Sequence, residues 1–476
     1  MASRLEEMMQ ARRDVREDML QNGTNPYPQE GHRTHTNQQA LDLADGKKAT
    51  IAGRVRAMRG HGKIRFVDVH DEFTKIQVVF KQDETADFAA IKNFHTGDFI
   101  RVTGERFTTN AGEASLLARE FDMLSKALRP LPDSWYGFSD EEERYRRRPV
   151  DLIMNPDVAE VFRQRSKIIQ SVRQTLDEHN FLEVETPTLQ PMYGGANARP
   201  FVTHINAWDI PQYLKISDEL YLKRLIVGGF ERVYEIDKDF RNEGVDRTHN
   251  PEFTMMECYA AYWDYNDMMT LTEKVYENAA IAIHGTTEVE YQGMKIDFRG
   301  PWRRLPMKDA IREYLGIDVD ELSDDELRAA IKDHKLEYEG EWIRGLGIAT
   351  LFEAVEEHLI QPVFITDMPR ETTSLCKPHR EDASLIERFE PYIAGWEVGN
   401  AYTELNDPVL QRQFWEEERD DDDEAHPLDE DFIETLEYGM PPTGGLGMGL
   451  DRMVMLLTNQ TKIRDVILFP TMKPRE

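Results

Sequence analysis

Cysteine and long apolar runs are what this sequence has least of. Its two cysteines, Cys258 and Cys376, stand far apart among 476 residues, so it contains no CxxC motif and no Cys/His cluster. This spacing excludes a disulfide framework and a thiolate zinc site, and both thiols are predicted to be structural. No run of 18 apolar residues occurs and the first residues include several acids. We therefore expect a cytoplasmic protein with no membrane span.

Basic residues are also in deficit, since the formal net charge is −31. Phosphate groups of nucleic acids favour Lys and Arg at a contact surface, so any RNA site must be a local basic patch. Two stretches are candidates for such a patch: Arg54, Arg56, Arg59, Lys63 and Arg65, and then Arg144, Arg146, Arg147 and Arg148. The alternative for each stretch is an ordinary solvated surface. One hypothesis for the acidic excess is adaptation to high internal salt, because a Debye length of about 3 Å at 1 M screens repulsion from RNA.

The length and a change in periodicity along the chain predict at least two domains. Residues 1–45 are predicted to form a helical N-terminal extension. Residues 46–127 contain five short strand-like runs, at 50–56, 65–69, 75–80, 99–104 and 115–118. Five strands in about 75 residues suit an OB-fold barrel, a fold that commonly binds single-stranded nucleic acid.

The remainder of the chain has a different pattern. Residues 128–150 begin with prolines, continue with charged runs and are predicted to be a linker. Asn155-Pro156 is typical of a helix start and opens an amphipathic stretch. From 151 to 476 strand-like and helix-like stretches mix without regular βαβ alternation, which favours an α+β domain on an antiparallel sheet flanked by helices. The absence of GxGxxG and GxxxxGK[ST] motifs disfavours Rossmann or P-loop nucleotide binding.

A dense polar group surrounds the turn between two strand-like runs at 232–240 and 252–259. The turn contains Arg241, Glu243, His249 and Asn250. If the second run is extended, Phe253, Met255, Glu257 and Tyr259 share one face. An arginine at this turn can bind a phosphate or carboxylate with two hydrogen bonds, and Phe253 can stack on a flat base. A solvated hairpin is the alternative.

A second stretch, at 388–405, is predicted to be a hairpin that turns near Ala394-Gly395. Asn400, Tyr402 and Glu404 share one face, whereas Glu397 has the opposite parity and needs a bulge near Gly399 to join them. Glu390 and Glu397 lie on opposite arms, and their hard oxygen atoms suit Mg²⁺ carried in with a triphosphate. Solvated glutamates are the alternative.

A third stretch, at 444–452, has glycines at close spacing followed by Asp451 and Arg452. Glycines permit a close backbone approach, and an arginine at a helix start can cover a flat ring or bind a phosphate. Taken alone, this pattern also fits a purely structural turn.

In this order, the three stretches resemble the signature motifs of class II aminoacyl-tRNA synthetases. Glu183 to Pro187 resembles motif 1, the segments 240–244 and 249–253 resemble motif 2, and GMGLDR at 447–452 resembles motif 3. The resemblance to the lysine-specific members covers nearly the whole chain. It includes residues 200–203, 218–221, 400–407 and 468–470.

The resemblance implies a ligase that activates L-lysine with ATP, releases pyrophosphate, and transfers lysine to the 3′ end of tRNA(Lys). It implies that Arg241 and Arg452 are catalytic and that ATP contacts Arg241, Glu243, His249, Asn250, Phe253, Glu390 and Arg452. Mg²⁺ is expected on Glu390 and Glu397. Lysine is expected near Gly195, Glu219, Glu257, Tyr259, Asn400, Tyr402, Glu404 and Gly449. The anticodon is expected on Phe66, Gln77 and Glu113 of the barrel, and a homodimer is expected through motif 1.

Other functions fit parts of the same pattern. A sister synthetase for aspartate or asparagine shares the three motifs, but three glutamates in the amino-acid pocket favour an amine substrate, since a buried ammonium needs carboxylate partners. A truncated relative that lysylates a translation factor lacks an anticodon domain, whereas this chain has a candidate at 49–124. A non-catalytic OB-containing regulatory protein is the alternative from another functional class.

Overall fold

The computed structural model describes residues 3–60, 62–132, 138–421 and 428–475. The chain divides into two compact units, residues 1–139 and 140–476. Within the described ranges no helix has the combined length and apolar character needed to cross a membrane. Cys258 and Cys376 are free thiols and both are buried.

The first unit is a closed five-stranded barrel preceded by two helices. Its elements are α1 (Arg4–Gln21), α2 (Asn37–Leu41), β1 (Lys48–Arg59), β2 (Ile64–His70), β3 (Lys75–Lys81), β4 (Phe99–Thr108) and β5 (Ala114–Ser125). The strands pair in the order β1-β2-β3-β5-β4, with β3 and β5 parallel and β4 closing on β1. All five predicted strands are present, each extended by at least one residue, and the OB-fold prediction is confirmed.

The charged run that was predicted to be part of the linker is helical. Helices α3 (Glu141–Arg146) and α4 (Arg148–Met154) cover it, so the predicted boundary at 151 falls inside α4; residues 133–137 of the predicted linker lie outside the described residues. The Asp140 side chain caps α3 by accepting a hydrogen bond from the backbone N–H of Glu143. Charged residues of α3 form ion pairs at i,i+4 spacing, and a prediction from charge alone does not detect a helix built in this way.

These ion pairs involve the second basic stretch, which the sequence offered as a candidate RNA-binding patch. Each of its four arginines pairs with a carboxylate: Arg144 and Arg148 with Asp151, Arg146 with Glu142, and Arg147 with Glu143. Arg148 is only 1% exposed. Four arginines thus share three carboxylates, and these ion pairs favour the alternative of an ordinary surface for this stretch.

The second unit is built on a nine-stranded sheet flanked by helices. After α3 and α4, the first half of this unit contains α5 (Pro156–Glu178), β6 (Leu182–Glu183), β7 (Leu189–Gln190), β8 (Val202–Ile205), β9 (Ile210–Leu214), α6 (Glu219–Val227), β10 (Arg232–Phe240), β11 (Glu252–Ala261), α7 (Tyr265–His284), β12 (Glu288–Tyr291), β13 (Met294–Asp297) and β14 (Arg303–Pro306). The later elements are α8 (Met307–Leu315), α9 (Asp324–Asp333), α10 (Arg344–Glu356), β15 (Val363–Pro369), β16 (Leu385–Ile393), β17 (Trp396–Glu397), β18 (Gly399–Thr403), α11 (Pro408–Asp421), α12 (Glu430–Glu437), β19 (Thr443–Gly449) and α13 (Leu450–Leu457).

The sheet is mainly antiparallel, as predicted for an α+β domain. Its main strand order is β14-β15-β16-β18-β19-β11-β10-β6, and β17 pairs with β16. Only the outer pairs β6–β10 and β14–β15 are parallel. Strands that are distant in sequence, such as β11 and β18, thereby lie on either side of β19. This topology brings the three motif-bearing segments to one sheet.

The central strand β11 separates the hydrophobic core from a polar face. Met256, Cys258 and Ala260 belong to the main core cluster, together with Val172 and Leu176 of α5. The intervening residues Phe253, Met255, Glu257 and Tyr259 line a cavity on the other side. This alternation follows from the period of two in an extended strand, and it confirms the predicted common face.

The hairpin formed by β16, β17 and β18 contains the predicted bulge. Ala394 and Gly395 form the turn and both have positive φ angles, of 55° and 80°. Tyr392 pairs with Glu397, whereas Phe389 pairs with Ala401. Phe389 and Tyr392 are three positions apart on β16, whereas their partners Ala401 and Glu397 are four positions apart. One extra residue therefore lies between Glu397 and Ala401. This insertion turns Glu397 toward the same cavity as Asn400 and Tyr402.

Candidate active site

A cavity of about 670 Å³ lies on the polar face of the second unit. Segments from α6, the β10–β11 turn, the β16–β18 hairpin and the β19–α13 junction form its wall. Every residue that the sequence predicted for ATP, metal or lysine binding lines this cavity: Gly195, Glu219, Arg241, Glu243, His249, Asn250, Phe253, Glu257, Tyr259, Glu390, Glu397, Asn400, Tyr402, Glu404, Gly449 and Arg452. The structure therefore brings the three stretches together in one space.

One end of the cavity is acidic and buried. Glu219 lies at the start of α6, Glu257 on β11 and Glu404 directly after β18, and none of the three is more than 5% exposed. Glu257 accepts hydrogen bonds from Ser217 Oγ at 2.9 Å and from the hydroxyl of Tyr259 at 3.0 Å. The Tyr402 hydroxyl donates to Glu219 Oε2 at 2.9 Å. Hydrogen bonds from neutral groups thus orient these carboxylates.

Burial and nearby negative charges raise the pKa values of carboxyl groups at the acidic end. Burial, with the charges of Asp218 and Glu219 as smaller contributions, raises the pKa of Glu257 to about 8. Burial also raises the pKa of Glu404 well above its ordinary value, although the nearby Lys223 opposes that shift. The acidic end is therefore suited to an incoming cation, because a positive charge stabilises the ionised form of both carboxyl groups.

Lys223 already supplies one such charge. It lies one helical turn after Glu219 and is fully buried, and its Nζ is 2.5 Å from Glu219 Oε1 and also forms an ion pair with Glu404. Burial alone would lower the pKa of Lys223, but the charges of Glu219 and Glu404 outweigh burial and raise that pKa. Lys223 is not part of the cavity lining, so its ammonium lies behind the carboxylates.

Two glycines make room for the acidic end. A Cβ atom on Gly445 of β19 would lie 1.9 Å from Glu404 Oε1 and 2.6 Å from the Tyr259 ring, so no larger residue fits there without displacing them. Gly195 has a φ of +88°, and a Cβ atom there would lie 2.9 Å from Ser217 Oγ. Close backbone approach at both positions keeps the carboxylates accessible from the cavity.

The opposite end of the cavity carries arginines and is more exposed. The Arg241 guanidinium lies over the Phe253 ring, 5.1 Å from its centroid. Arg452 donates to the backbone carbonyl of Glu397 at 2.6 Å, and its Nη2 is 3.4 Å from His249 Nε2. Phe253 therefore stacks with Arg241, whereas the resemblance implies that Phe253 and Arg452 both contact ATP. Both arginines nevertheless point into the same space as the aromatic ring.

The remaining predicted nucleotide contacts lie at the β10–β11 turn. Glu243 Oε1 accepts a hydrogen bond from the backbone N–H of Arg199 at 3.1 Å. Asn250 is 6% exposed and its amide donates to the carbonyl of Glu252, while its Oδ1 has no hydrogen-bond partner among the described residues. An unpartnered buried oxygen beside a polar cavity favours a ligand that donates to it.

Glu390 and Glu397 form an acidic wall next to these arginines. Glu390 accepts a hydrogen bond from Arg388 at 2.6 Å, and the Tyr392 hydroxyl lies 3.1 Å from Glu390 and 3.0 Å from Glu356. Burial, opposed by Arg388 and increased by the charge of Glu397, raises the pKa of Glu390 to about 7. Carboxylate oxygens that repel one another in this way fit a hard divalent cation, which would neutralise them.

The three residues predicted to contact an anticodon lie in the barrel, outside this cavity. Phe66 on β2 is half-buried, and Glu113 next to β5 is exposed. Gln77 on β3 is only 4% exposed; its amide donates to Ser115 Oγ at 2.8 Å and its carbonyl accepts from Arg59. A base edge would have to replace one of these contacts to reach Gln77.

Three residues of the site were missed by the sequence reasoning. Lys223 was detectable from its spacing of four residues after Glu219, which places both on one helical face. Arg388 was detectable from its spacing of two residues before Glu390, since alternate residues of a strand share a face. Gly445 belongs to the glycine stretch that was predicted to permit a close backbone approach, but its contact with Glu404 and Tyr259 depends on the pairing of β19 with β11 and β18.

Chemically, the cavity can hold a substrate with an amine at one end and phosphate or carboxylate groups at the other. The buried carboxylates suit ammonium groups, and the arginines suit oxyanions and the face of a base. No nucleophilic side chain is needed for a reaction between two bound substrates, since positioning and fixed positive charge supply the catalysis.

Comparison with known proteins gives consistent matches for both units. Residues 140–473 match the family described as tRNA synthetases class II (D, K and N), and residues 49–124 match the OB-fold nucleic acid binding domain. A lysine–tRNA ligase from Clostridium novyi is 50% identical and covers 96% of this chain and 93% of its own. A lysine–tRNA ligase from Bacillus subtilis is 48% identical and covers 99% of this chain and 98% of its own.

Proposed function

Because the chain belongs to the lysine–tRNA ligase family of class II tRNA synthetases, we propose that it activates lysine with ATP and transfers it to a lysine tRNA in the cytoplasm. The observation that carries this proposal is the cavity in which Glu219, Glu257 and Glu404 form one end and Arg241 and Arg452 the other. The acidic end distinguishes lysine from the sister substrates, since aspartate would place its side-chain carboxylate against three buried acids.

The reaction requires two transfers. The lysine carboxylate attacks the α-phosphorus of ATP, a P–O bond to the β-phosphate breaks, and pyrophosphate leaves. A terminal ribose hydroxyl of the tRNA then attacks the carbonyl carbon of the adenylate, and AMP leaves. In this proposal Arg241 holds the lysine carboxylate and α-phosphate, and Arg452 with Phe253 holds the adenine. Glu243, His249 and Asn250 complete the ATP contacts, with charge on the phosphates stabilised by the fixed arginines.

The amino-acid end has a different set of roles. Glu219 and Glu257 lie toward the amino end of lysine near Gly195, with Glu404, Asn400, Tyr402 and Tyr259 around its side chain. Gly449 leaves space beside the reacting groups. These assignments rest on the burial of the three carboxylates and on the hydrogen bonds that hydroxyl groups donate to Glu219 and Glu257.

Mg²⁺ would be held by Glu390 and Glu397, and the Tyr392 hydroxyl lies between Glu390 and Glu356. The ion supplies charge neutralisation on the ATP phosphates when it is bound. Burial, with the charge of Glu397 as a smaller contribution, raises the pKa of Glu390, and a bound cation would offset both effects.

We assign anticodon contact to the barrel, with Phe66 as a stacking surface and Gln77 and Glu113 as polar contacts. A half-buried ring on β2 and an exposed glutamate directly before β5, with β3 between these two strands, fit the single-stranded mode of OB folds.

A homodimer through the motif 1 region completes the proposal. Large apolar side chains are exposed on β6 to β9 and their turns: Leu182, Leu189, Val202, Trp208 and Ile210. Trp208 is 72% exposed and Val202 66%. Exposed apolar surface of this kind favours a protein partner, and sedimentation of an active monomer would contradict a dimer.

The experiment that tests the function is amino-acid-dependent exchange of pyrophosphate into ATP, run separately with each of the twenty amino acids. We expect lysine to support exchange and aspartate and asparagine to give background rates. Exchange stimulated by aspartate or asparagine instead would identify a sister enzyme. No exchange with any amino acid, together with no ATP binding, would support a regulatory protein.

A further inference from the structure

The acidic end of the cavity contains a cation that belongs to the protein itself. Lys223 Nζ lies 2.5 Å from Glu219 Oε1 and pairs with Glu404, and it lies 5.7 Å from the Tyr402 ring centroid and 6.0 Å from that of Tyr259. Lys223 and Glu404 are both completely buried. Two aromatic faces and two carboxylates therefore surround one buried ammonium group.

The number of charges at this end is informative. Three carboxylates, from Glu219, Glu257 and Glu404, line the cavity, and Lys223 neutralises one of them from behind. A bound lysine brings two ammonium groups, while its own carboxylate faces Arg241 at the other end. With Lys223 in place, the charges of Glu219, Glu257, Glu404, Lys223 and the two ammonium groups sum to zero. Outside this set, Asp218 pairs with the buried Lys215 at 2.6 Å and a carboxylate oxygen of Asp239 lies within 4.8 Å of Glu257. Without Lys223, one buried negative charge would remain, at a high desolvation cost.

Resting on the proposed function, we propose that Lys223 is a positioning residue that sets the charge of the amino-acid pocket. It leaves two negative charges for the two ammonium groups of lysine and fixes the directions of Glu219 and Glu404. Lys223 does not touch the substrate, because it is absent from the cavity lining.

The hydrogen bonds around Lys223 support this role. Glu219 is held at both oxygens, by Lys223 at Oε1 and by the Tyr402 hydroxyl at Oε2. Among the described residues neither oxygen of Glu404 has a hydrogen-bond partner, but Oε2 forms the ion pair with Lys223 and Oε1 does not. Oε1 of Glu404 is therefore the oxygen available to an incoming ammonium. A carboxylate fixed at one oxygen and open at the other is pre-organised for binding.

The first test compares Lys223→Met with the unmodified protein in lysine-dependent pyrophosphate exchange. We expect the KM for lysine to rise about tenfold or more, because an unneutralised buried carboxylate takes up a proton and no longer attracts an ammonium. The KM for ATP should stay within about twofold, since the arginine end is untouched. The matched control is Lys126→Met, which removes another fully buried lysine, paired with Asp98 at 2.7 Å in the barrel. It should leave the KM for lysine unchanged.

In the second test, Lys223→Met is expected to lower the KM for lysine, because one carboxylate has already been removed. In Glu219→Gln the pocket keeps Lys223 but loses one carboxylate, so bound lysine would leave an excess positive charge. Adding Lys223→Met to Glu219→Gln restores the balance and should lower the KM for lysine relative to Glu219→Gln alone. If Lys223 had only a structural role, Lys223→Met would raise the KM for lysine both in the unmodified protein and in Glu219→Gln. This comparison also stands alone if the single Lys223→Met variant does not fold.

Two results would overturn the inference. One is a folded Lys223→Met variant whose KM for lysine equals that of the unmodified protein. The other is a further rise in the KM for lysine when Lys223→Met is added to Glu219→Gln. Failure of the proposed function would look different, because the unmodified protein would then give no lysine-dependent exchange.

Discussion

The two ends of the cavity are built in different ways. At the acidic end, Glu219, Glu257 and Glu404 are buried and held by Lys223 and by hydroxyl groups of the protein. At the arginine end, His249 and Glu243 are exposed and Arg452 is half-buried. Arg241 covers the Phe253 ring. Partners from the protein hold the acidic end, whereas a nucleotide at the arginine end would have to replace contacts that these arginines make with Phe253 and Glu397.

This difference indicates how selectivity and turnover are divided. Buried charges with fixed directions discriminate strongly between side chains, because a wrong ligand leaves them unpaired. Exposed groups with several alternative partners release a product more readily. We therefore expect substitutions at the acidic end to change lysine binding and substitutions at the arginine end to change the use of ATP.

The largest effect is expected from Arg452→Ala. Removing a fixed cation beside the phosphates and the base should reduce kcat/KM for ATP by about 10²–10³-fold. The measurement is pyrophosphate exchange at saturating lysine. Lysine binding measured by calorimetry without ATP should be nearly unchanged, and a parallel loss of lysine binding would show that the two ends are not separable.

The next largest effect is expected from Glu404→Gln. Loss of one buried carboxylate should weaken lysine binding by about 3 kcal/mol, or roughly 100-fold, since both Lys223 and the substrate lose a partner. Calorimetric titration with lysine measures this loss. The KM for ATP serves as the internal control and should remain near its original value. Equal losses for lysine and ATP would contradict the comparison.

Phe66→Ala extends the comparison to the barrel and should have a smaller effect. Stacking on one base is worth about 1–3 kcal/mol, so the KM for tRNA should rise about tenfold. Pyrophosphate exchange does not use tRNA and should be unaffected. Unchanged charging of tRNA by this variant would remove Phe66 from the anticodon site.

The smallest expected effect is the release of a proton when lysine binds. Burial raises the pKa of Glu257 to about 8, so at pH 7 this group is mostly protonated in the free protein. An ammonium ligand requires the ionised form, so lysine binding at pH 7 should release roughly one proton, and lysine affinity should increase as pH rises toward 8. Calorimetry at pH 7 in buffers of different ionisation enthalpy measures this release. Glu257→Gln should abolish it, and proton uptake instead would contradict the assignment.

Local patterns were sufficient to predict much of this architecture. The number and length of the strand-like runs at β1 to β5 predicted the barrel, and the parity of Glu397 and Asn400 predicted a bulge near Gly399. Each of these features depends on residues close together in sequence. The residues implied by the resemblance in the second unit also line one cavity.

The features that were not predicted depend on distant or compensating charges. Lys223 and Glu404 are far apart in sequence and meet only through folding. Arg148 belongs to a run of arginines that reads as exposed, yet Asp151 and three backbone carbonyls, of Arg464, Ile467 and Leu468, bury it. Sequence patterns report periodicity and local charge, and neither quantity reveals which charge is neutralised by a distant partner.

The most direct test of the different roles of the two ends is a crystal structure with lysine and a non-hydrolysable ATP analogue. We predict that the side-chain ammonium lies within about 3.2 Å of Glu404 Oε1, with Lys223 still between Glu219 and Glu404. We also predict that Arg241 leaves the Phe253 ring, so that the adenine takes its place. A lysine side chain directed away from Glu404, or an acidic end rearranged while the arginines stay fixed, would contradict this account.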